Sequence, residues 1–530
     1  MRSLRFLGVT AALLAAGCQD LEVTNPNNPD RDRATSQPGD VQTLVASSFT
    51  TFWPMTQGNW PGITLAAMAD EATSGFADFG ILELTSEPRA AFNNSTIYSR
   101  RFVSEDPWYI LYSVISTNND ALAAMDRGLV ITEGGADVTP RARAFAKFMQ
   151  GLAHGYLGLY FDQASISDET MDPQTATYPL VPYPEVIAAA VSQLEEVITL
   201  AGGTPFTIPA TGWINGVTLT NTQLAQLAHS FIAKFLAYAP RTPAERAAVN
   251  WTTVISHIDA GITADIAPTA ISGILFSDYR RLMARQRTTT PGDFSRLDNN
   301  LVGPSDTSGA YQTWLNTPLL ERNPFQLRTP DRRIQPAASA TGLGKYFGYN
   351  TATLYAADRG LYHRSRYYYW RAGMGTTWEN GVQQWMTRAE MNLLKAEALI
   401  RLNRPLEAIP LINLTRVANG ELPAITTVDG PANVNSCVPQ KQNGDCGSLW
   451  DALKYEKRIE MTGVEPGVSW YDARGWGTLV EGTMTQLPIP ARERETTRAA
   501  TYTFGGAPGN PGSAAAPNHN ACPVSLPRCG

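Results

Sequence analysis

Apolar residues recur at helical spacing along two long parts of the chain, residues 39–262 and 387–463. Several of the predicted helices follow one another after short turns that contain Pro or Gly, as in helical hairpins. The pattern therefore predicts a mainly α fold built from helix pairs. The predicted helices cover residues 41–55, 108–122, 141–161, 184–200, 221–238, 243–262, 387–403, 405–418 and 447–463.

The clearest helical hairpin is the stretch from 387 to 418, in which Pro405 opens the second helix. Its small-residue pattern suggests a tetratricopeptide-like unit, although no strict 34-residue repeat is visible. Small residues also mark the helix at 141–161, so a neighbouring backbone can approach it closely. In the hairpin, Leu393, Leu394, Ala396 and Ala398 are expected to face Ala408, Leu411 and Ile412, and the small residues of the earlier helix are Ala144, Gly151, Ala153, Gly155 and Gly158.

Two irregular insertions interrupt the helical pattern, at residues 73–106 and 263–386, and a loop-rich tail follows at 464–530. Gly, Pro, Asn, Thr and aromatic residues dominate the insertions. Long loops of this kind are usually functional or disordered, and their aromatic content favours order. The run Tyr367–Trp370 alternates along an extended segment, so half of its rings should be buried.

The N-terminus has the features of a secretory leader. Met1, Arg2 and Arg5 supply positive charge, and residues 6–16 form an apolar core that is shorter than the ~20 residues a membrane span requires. The segment 14–18, Leu-Ala-Ala-Gly-Cys, is typical of a bacterial lipobox. We therefore expect residues 1–17 to be a removed signal peptide.

Cleavage would leave Cys18 as the first residue and the lipid attachment site. Two or more acyl chains on this one residue would anchor the protein stably. The polar, Pro- and Asn-rich residues 18–38 would form a tether between the lipid and the folded body. Cys18 could instead be lost with the leader. No other apolar run approaches 18 residues, so the sequence predicts a lipid anchor as the membrane attachment.

The other four cysteines fall in two close pairs, Cys437 with Cys446 and Cys522 with Cys529. Two local disulfides in an oxidising compartment are the favoured interpretation. A zinc site would call for two-residue spacings, which are absent. A net charge of −6 also argues against a nucleic-acid partner.

Catalytic chemistry has little support in the sequence. The five histidines show no metal-binding spacing, so no metal and no cofactor are predicted. Glu390, Glu456 and Arg458 could suggest the acid pair of a glycoside hydrolase, but their helical spacing favours salt bridges between helices. Asp472 and Arg474 are interpreted as a buried pair that fixes a turn.

A lipobox with a polar tether is followed by a series of short motifs along the chain. They are Ala69-Asp70-Glu71, Trp108-x3-Tyr112-x2-Ile115-x3-Asn119, Asp331-Arg332-Arg333, Arg388-x-Glu390-x2-Leu393-Leu394-x-Ala396-Glu397-Ala398, Ile412-Asn413-x2-Arg416, Tyr455-Glu456-Lys457-Arg458-x-Glu460, Trp470-Tyr471-Asp472-Ala473-Arg474-Gly475 and Leu487-Pro488-Ile489-Pro490-x2-Glu493. Together, and in this order, these motifs resemble the SusD/RagB family of outer-membrane nutrient-binding lipoproteins, and the resemblance covers most of the chain after the tether.

The resemblance implies a single SusD-like domain over residues 39–530, with tetratricopeptide-like helical hairpins as a scaffold and loops that form a shallow ligand surface. It also implies a location on the bacterial outer membrane, facing the cell exterior, and a SusC-like TonB-dependent transporter as partner. Family members mostly bind glycans and some bind peptides. An oligosaccharide is therefore the expected ligand, with a peptide as the alternative.

Aromatic faces stack on sugars while amide and charged groups read the hydroxyls, so the ligand contacts are predicted in the two insertions. Two other functions remain open. A secreted helical glycoside-active enzyme would show close carboxylates in a deep cleft, and a structural lipoprotein that only organises the transporter would bury the candidate rings. The candidates are Phe76, Phe79, Asn93, Asn94, Tyr98, Tyr311 and Trp314, with no catalytic residue among them.

Overall fold

The computed structural model describes residues 35–74, 80–172, 175–271, 274–275, 295–334, 343–349, 363–369, 371, 381–434, 436–507 and 509–516. Helices dominate these residues, and the strands are short. Among them, no helix combines the length and the apolar character needed to cross a bilayer. The mainly α fold predicted from the sequence is thus confirmed.

The longer helices lie where the apolar periodicity places them. They are α1 Pro38–Phe52, α5 Phe102–Asp126, α6 Thr139–Tyr160, α7 Tyr183–Ala201, α8 Asn221–Tyr238, α10 Trp251–Asp259, α13 Arg388–Arg401, α14 Pro405–Ala418 and α15 Leu449–Met461. Shorter helices are α2 Pro54–Gln57, α3 Thr64–Met68, α4 Ile81–Thr85, α9 Pro243–Ala247, α11 Asn299–Val302, α12 Ala310–Asn316, α16 Gly467–Trp476 and α17 Ala491–Thr496.

Successive long helices pack side by side in chain order. Helix α5 contacts α1 and α6, α6 contacts α7, α7 contacts α8, and α8 contacts α10. The array continues from α10 to α13, which packs on both α14 and α15. Each helix therefore buries apolar faces against its neighbours, as in tetratricopeptide-like hairpins.

Glycines in α6 allow the close approach that the sequence predicts. A Cβ atom on Gly155 would lie 2.1 Å from the Phe235 ring of α8, and one on Gly158 would lie 2.8 Å from Ile187 of α7. Neither space could hold a methyl group without a shift of packed atoms. The small residues of α6 thus set its distance to two neighbouring helices.

The hairpin of α13 and α14 forms as predicted, but its apolar residues divide between two clusters. Leu393 and Ala396 of α13 pack with Ala408 and Ile412 of α14. Leu394 and Ala398 instead belong to the main core formed by the earlier helices. The expectation that all four α13 residues face α14 is therefore wrong, because α13 is covered on two sides.

Buried ion pairs join the helices, as expected for Glu390 and Glu456. Glu390 lies 3.1 Å from Lys234 of α8, and Glu456 lies 2.6 Å from Arg333 in the second insertion. Arg458 behaves differently, because its guanidinium donates to the backbone oxygens of Ala69 and Asp70. Glu390 thus forms the predicted salt bridge between helices, and Glu456 does so with Arg416 of α14 at 3.8 Å in addition to its contact with Arg333.

Asp472 and Arg474 do not form the expected pair. Asp472 accepts from Lys457 at 2.8 Å and from Arg246 at 2.9 Å. Arg474 donates to backbone oxygens, including those of Leu159 and Thr485. Both side chains lie in α16, a helix inside the tail predicted to be loop-rich. All residues of α16 are buried, so the sequence there lacks the polar face that marks a helix.

The predicted helix at 243–262 is divided into α9 and α10. Asn250 begins the second of them, since its side-chain oxygen accepts from the Thr253 N–H. Helix α5 also begins earlier than predicted, at Phe102, and contains Pro107 as its sixth residue, where the missing N–H leaves the Val103 carbonyl without its usual helical donor.

The strands pair only in twos, all antiparallel, among the described residues. Three pairs are local hairpins or short connections, namely β2 Thr132–Glu133 with β3 Ala136–Asp137, β4 Gln163–Ser165 with β5 Leu180–Pro182, and β6 Thr207–Ile208 with β7 Leu219–Thr220. The others involve the insertions, namely β1 Ala72–Ser74 with β9 Ser295–Leu297, β8 Thr269–Ala270 with β12 Gly381–Val382, and β10 Phe347–Tyr349 with β11 Tyr367–Tyr369.

Candidate functional site

The two irregular insertions meet where β1 pairs with β9. The register places Ala72 opposite Leu297, and the Asp298 N–H donates to the Glu71 oxygen at 3.0 Å. A bridge between Asp298 and Arg364 then brings in the segment that carries His363. Three separate parts of the sequence thus converge just after the end of α3.

His363 lies at the centre of this convergence, which we call the His363 cluster: Asp70, Glu87, Asp298, Asn300, Arg322 and His363. The imidazole Nε2 lies 3.1 Å from the Glu87 carboxylate, and Nδ1 lies 3.6 Å from Asp298 and 3.9 Å from Asp70. These side chains are mostly buried, with 25% of Glu87 and 17% of Asp70 exposed. The cluster therefore reaches the surface at its acidic edge.

The carboxylates hold His363 in its protonated form. Burial alone would lower its pKa, but the negative charges of Asp298 and Asp70 outweigh burial and raise the pKa to about 10. Burial likewise raises the pKa of Asp298 to about 6, in spite of the nearby imidazolium. For Asp70, burial is outweighed by His363 and Arg89, so its pKa is lowered.

Two arginines add further positive charge to the cluster. Arg89 lies 3.5 Å from Asp70, and the Arg322 guanidinium lies 3.3 Å from His363 Nε2. Arg458 ties the backbone of Asp70 to that of Asn300 through three hydrogen bonds, one of them to Ala69. With acceptors and donors side by side, the exposed edge can hydrogen-bond hydroxyl groups or pair with charged ones.

Asp70, Asp298 and His363 could also hold a metal ion, since their ligating atoms lie within 4.8 Å of one another. The protonated imidazole and the adjacent Arg89 already supply positive charge to these carboxylates. A metal would have to displace the proton from His363. The donor set by itself therefore gives no reason to assign a metal here.

Tyr311 and Trp314, both predicted ligand contacts, lie against the cluster but are buried, with 5% and 4% of their surface exposed. Their rings stack at 5.9 Å, and the Tyr311 hydroxyl donates to Asn300 Oδ1 at 3.0 Å. The Trp314 ring meets His363 edge-on, and Arg322 covers it at 4.4 Å. Both rings support the cluster from within, so neither presents a face to solvent.

Asn93, Asn94 and Tyr98 lie elsewhere in the first insertion. Asn93 is exposed. The Asn94 amide donates to the backbone oxygens of Ile489 and Tyr502, so it holds the C-terminal part of the chain. Tyr98 is half-buried and packs on Phe92, and burial together with Glu83 raises its pKa. The contacts of Asn94 and Tyr98 are thus with other parts of the chain than the stacked pair of Tyr311 and Trp314.

The tyrosine run in β11 differs from its prediction. Tyr367, Tyr368 and Tyr369 are all buried, rather than every second ring. The reason lies in the neighbouring strand, where Gly348 leaves room for the Tyr368 ring: a Cβ there would lie 2.3 Å from it. Both faces of this short sheet are therefore covered.

The disulfide between Cys437 and Cys446 is present, as predicted. The other cysteine predictions, the Cys522–Cys529 disulfide and the lipid attachment at Cys18, lie outside the described residues, as do the candidate contacts Phe76 and Phe79. Each stays a prediction.

Sequence reasoning missed the His363 cluster. Asp70 belongs to one of the sequence motifs, whereas Glu87, Asp298 and Arg322 belong to none of them. The cluster joins residues nearly 300 positions apart in the sequence, from Asp70 to His363, and no local spacing reveals such a group. The one available signal was the concentration of charged residues among aromatic ones near Tyr311 and His363.

No protein-family model matches the sequence, and no curated protein matches it. Solved structures do match over most of the chain. A SusD-like carbohydrate binding protein from Bacteroides fragilis NCTC 9343 is 14% identical, with a TM-score of 0.53 over 84% of this chain and 87% of that one.

Two further structures match more of their own length. A SusD homolog from Bacteroides thetaiotaomicron VPI-5482 is 14% identical, with a TM-score of 0.56 over 88% of this chain and 98% of the other. A SusD superfamily protein from Parabacteroides distasonis ATCC 8503 is 12% identical, with a TM-score of 0.56 over 87% and 97%. The chain therefore has the SusD-like fold that its sequence motifs imply.

Proposed function

We propose that this protein is a non-catalytic lipoprotein of the bacterial outer membrane that binds a carbohydrate, most simply an oligosaccharide, and delivers it to a SusC-like TonB-dependent transporter. The observation that carries the proposal is the SusD-like fold, shared over more than four fifths of the chain with a protein described as carbohydrate binding. The leader and the lipobox at Cys18 support the location.

The carboxylates of the helical scaffold are not placed as a catalytic pair. Glu390 and Glu465 both contact Lys234 and are fully buried in the helical core. Glu456 is likewise buried against Arg333. A glycoside hydrolase needs two carboxyl groups that face a substrate from opposite sides of the scissile bond. These carboxylates instead form ion pairs inside the scaffold and face no open surface.

The exposed edge of the His363 cluster is the favoured place for ligand contacts. Glu87, Asp70 and Arg322 offer acceptors and donors at the surface. Such groups bind sugar hydroxyls through hydrogen bonds, and this role needs no transfer of a proton. The buried rings of Tyr311 and Trp314 would act by holding this edge in place.

A binding screen tests this function. The lipid-free chain without residues 1–18 is titrated calorimetrically with a panel of oligosaccharides and peptides. We expect at least one oligosaccharide to bind, and Glu87→Gln to weaken binding about tenfold through a lost charged hydrogen bond. Glu407→Gln on α14 is the matched control, since Glu407 is exposed on a scaffold helix. Absence of any ligand, or turnover of one, would refute the proposal.

The burial of Tyr311 and Trp314 favours a second candidate, a structural lipoprotein that only organises the transporter. In that case the chain would copurify with a β-barrel transporter from outer membranes and bind none of the panel. A Cys18→Ala variant separates the anchor from both functions, because it should lose membrane association and leave the affinity of the soluble domain unchanged.

A further inference from the structure

Two histidines contact each other on adjacent scaffold helices. His229 of α8 and His257 of α10 place their Nδ1 atoms 2.9 Å apart, with ring centroids 5.1 Å apart. Both rings are half-buried. A distance of 2.9 Å between ring nitrogens is that of a hydrogen bond, in which one Nδ1–H donates to the lone pair of the other.

The proton count of this pair decides whether the contact survives. One Nδ1 must carry a hydrogen and the other must not, so the bond exists when the pair is neutral or carries one added proton. A second added proton removes the accepting lone pair. Two N–H groups and two positive charges would then face each other across the contact.

The charged groups around the pair offset this repulsion only in part. Glu195 of α7 favours the protonated form of His229. Asp259 of α10 is engaged with Lys395 of α13, and Lys234 of α8 is held in the core by Glu390 and Glu465. Burial lowers the pKa of both imidazoles, and for His229 the charge of His257 lowers it further.

The end of α10 connects the pair to the second insertion. Ser230, next to His229, accepts the Ile262 N–H at 2.9 Å, and Gly261 packs against its hydroxyl. A few residues later, Asp265 accepts the Arg388 N–H at the start of α13. The chain then enters β8 and its pairing with β12. Loosening of α10 would therefore act on the segment that leads into the insertion.

We propose that His229 and His257 form an acid-sensitive latch that strengthens the packing of α10 and residues 260–270 on α8 at neutral pH and loosens it at mildly acidic pH. The inference uses neither the ligand nor the transporter, so it stands apart from the proposed function. The helical scaffold would thereby respond to acidification of the protein's surroundings.

Hydrogen exchange measured by mass spectrometry tests the latch. Protection factors of amides in 251–262 are compared at about pH 7.5 and about pH 5, on either side of the ordinary histidine pKa. We expect a fall of about tenfold in the wild type, as for one unfavourable charge contact. In His229→Gln the amide can still bond to His257 without a second titrating ring, so the fall should disappear.

Asp259→Asn is the matched control, because it disturbs the neighbouring contact with Lys395 and leaves both histidines in place. That variant should keep the fall in protection. If His229→Gln does not fold, His257→Gln replaces it. Equal protection at both pH values in the wild type, or the same fall in the glutamine variant, would overturn the proposal.

Discussion

Histidines in the helical scaffold and in the insertions have opposite pKa shifts, although burial acts to lower the pKa of both. His154, inside α6, is buried among neutral amides, and burial lowers its pKa to about 4. His363, between the insertions, is nearly as buried, but carboxylates raise its pKa to about 10. The imidazole of His154 in the scaffold is thus neutral, whereas the charged imidazolium of His363 holds the insertions together. Burial alone does not determine the charge state; the partners do.

The same contrast extends to what each region is made of. The scaffold is held by helix faces in close contact, with glycines at the nearest approaches and balanced ion pairs inside. The insertions have short strand pairs and a charged cluster that reaches the surface. The insertions can therefore present polar groups to a ligand, because part of their charged cluster is in contact with water.

The largest effect should come from breaking a sealed ion network of the scaffold. Glu397 contacts Arg246, Arg401 and Lys457, and its pKa is lowered because these cations outweigh burial. Glu397→Ala should lower the free energy of unfolding by about 3–5 kcal/mol, since buried cations lose their partner. Denaturant unfolding measures it. Glu407→Ala, which breaks an exposed pair with Arg404, should change stability by less than about 1 kcal/mol.

Overpacking the closest helix contact should rank next. Gly155→Val forces side-chain atoms into the Phe235 ring and should cost about 3 kcal/mol of unfolding free energy. Gly39→Ala is its control, because nothing lies within 4 Å of the added methyl group. A comparable loss of stability in both variants would show that the helices do not approach as closely as described.

Removal of the disulfide tests how much this cross-link stabilises the fold. It joins Cys437 to Cys446, which are nine residues apart. Substituting serine for both should lower the free energy of unfolding by about 2–3 kcal/mol, because a short ring no longer restrains the unfolded chain. Dithiothreitol should have a similar effect on the wild type and a smaller one on the double variant. Full stability of the double variant would contradict the prediction.

The smallest effect concerns His363 and depends on pH. Its raised pKa means that the imidazolium stabilises the fold fully below the ordinary value of about 6.5, and that this stabilisation is lost as the pH rises through about 10. His363→Gln should cost about 2 kcal/mol at neutral pH and flatten the alkaline decline in stability. Unfolding curves recorded from neutral to alkaline pH check it. An unchanged alkaline decline in the variant would assign the titration to another group.

The helices of the scaffold could be predicted from the sequence, because the apolar residues of an amphipathic helix recur at a recognisable spacing. Prediction failed where periodicity is absent: α16 is buried on all sides, and Asn250 divides a stretch that looks continuous. The insertions were recognised as special, but the exposure of their rings was not predictable. Tyr311 and Trp314 are buried by contacts with Asn300, His363 and Arg322, which only the fold brings together.

The division of labour between scaffold and insertions is tested most directly by hydrogen exchange of the lipid-free chain with and without its best-binding oligosaccharide. Protection on binding should appear at residues 80–101, 295–334 and 363–371, while α6, α7 and α14 exchange as before. Protection concentrated on the outer face of α14, or a ligand that is cleaved during the measurement, would contradict the account.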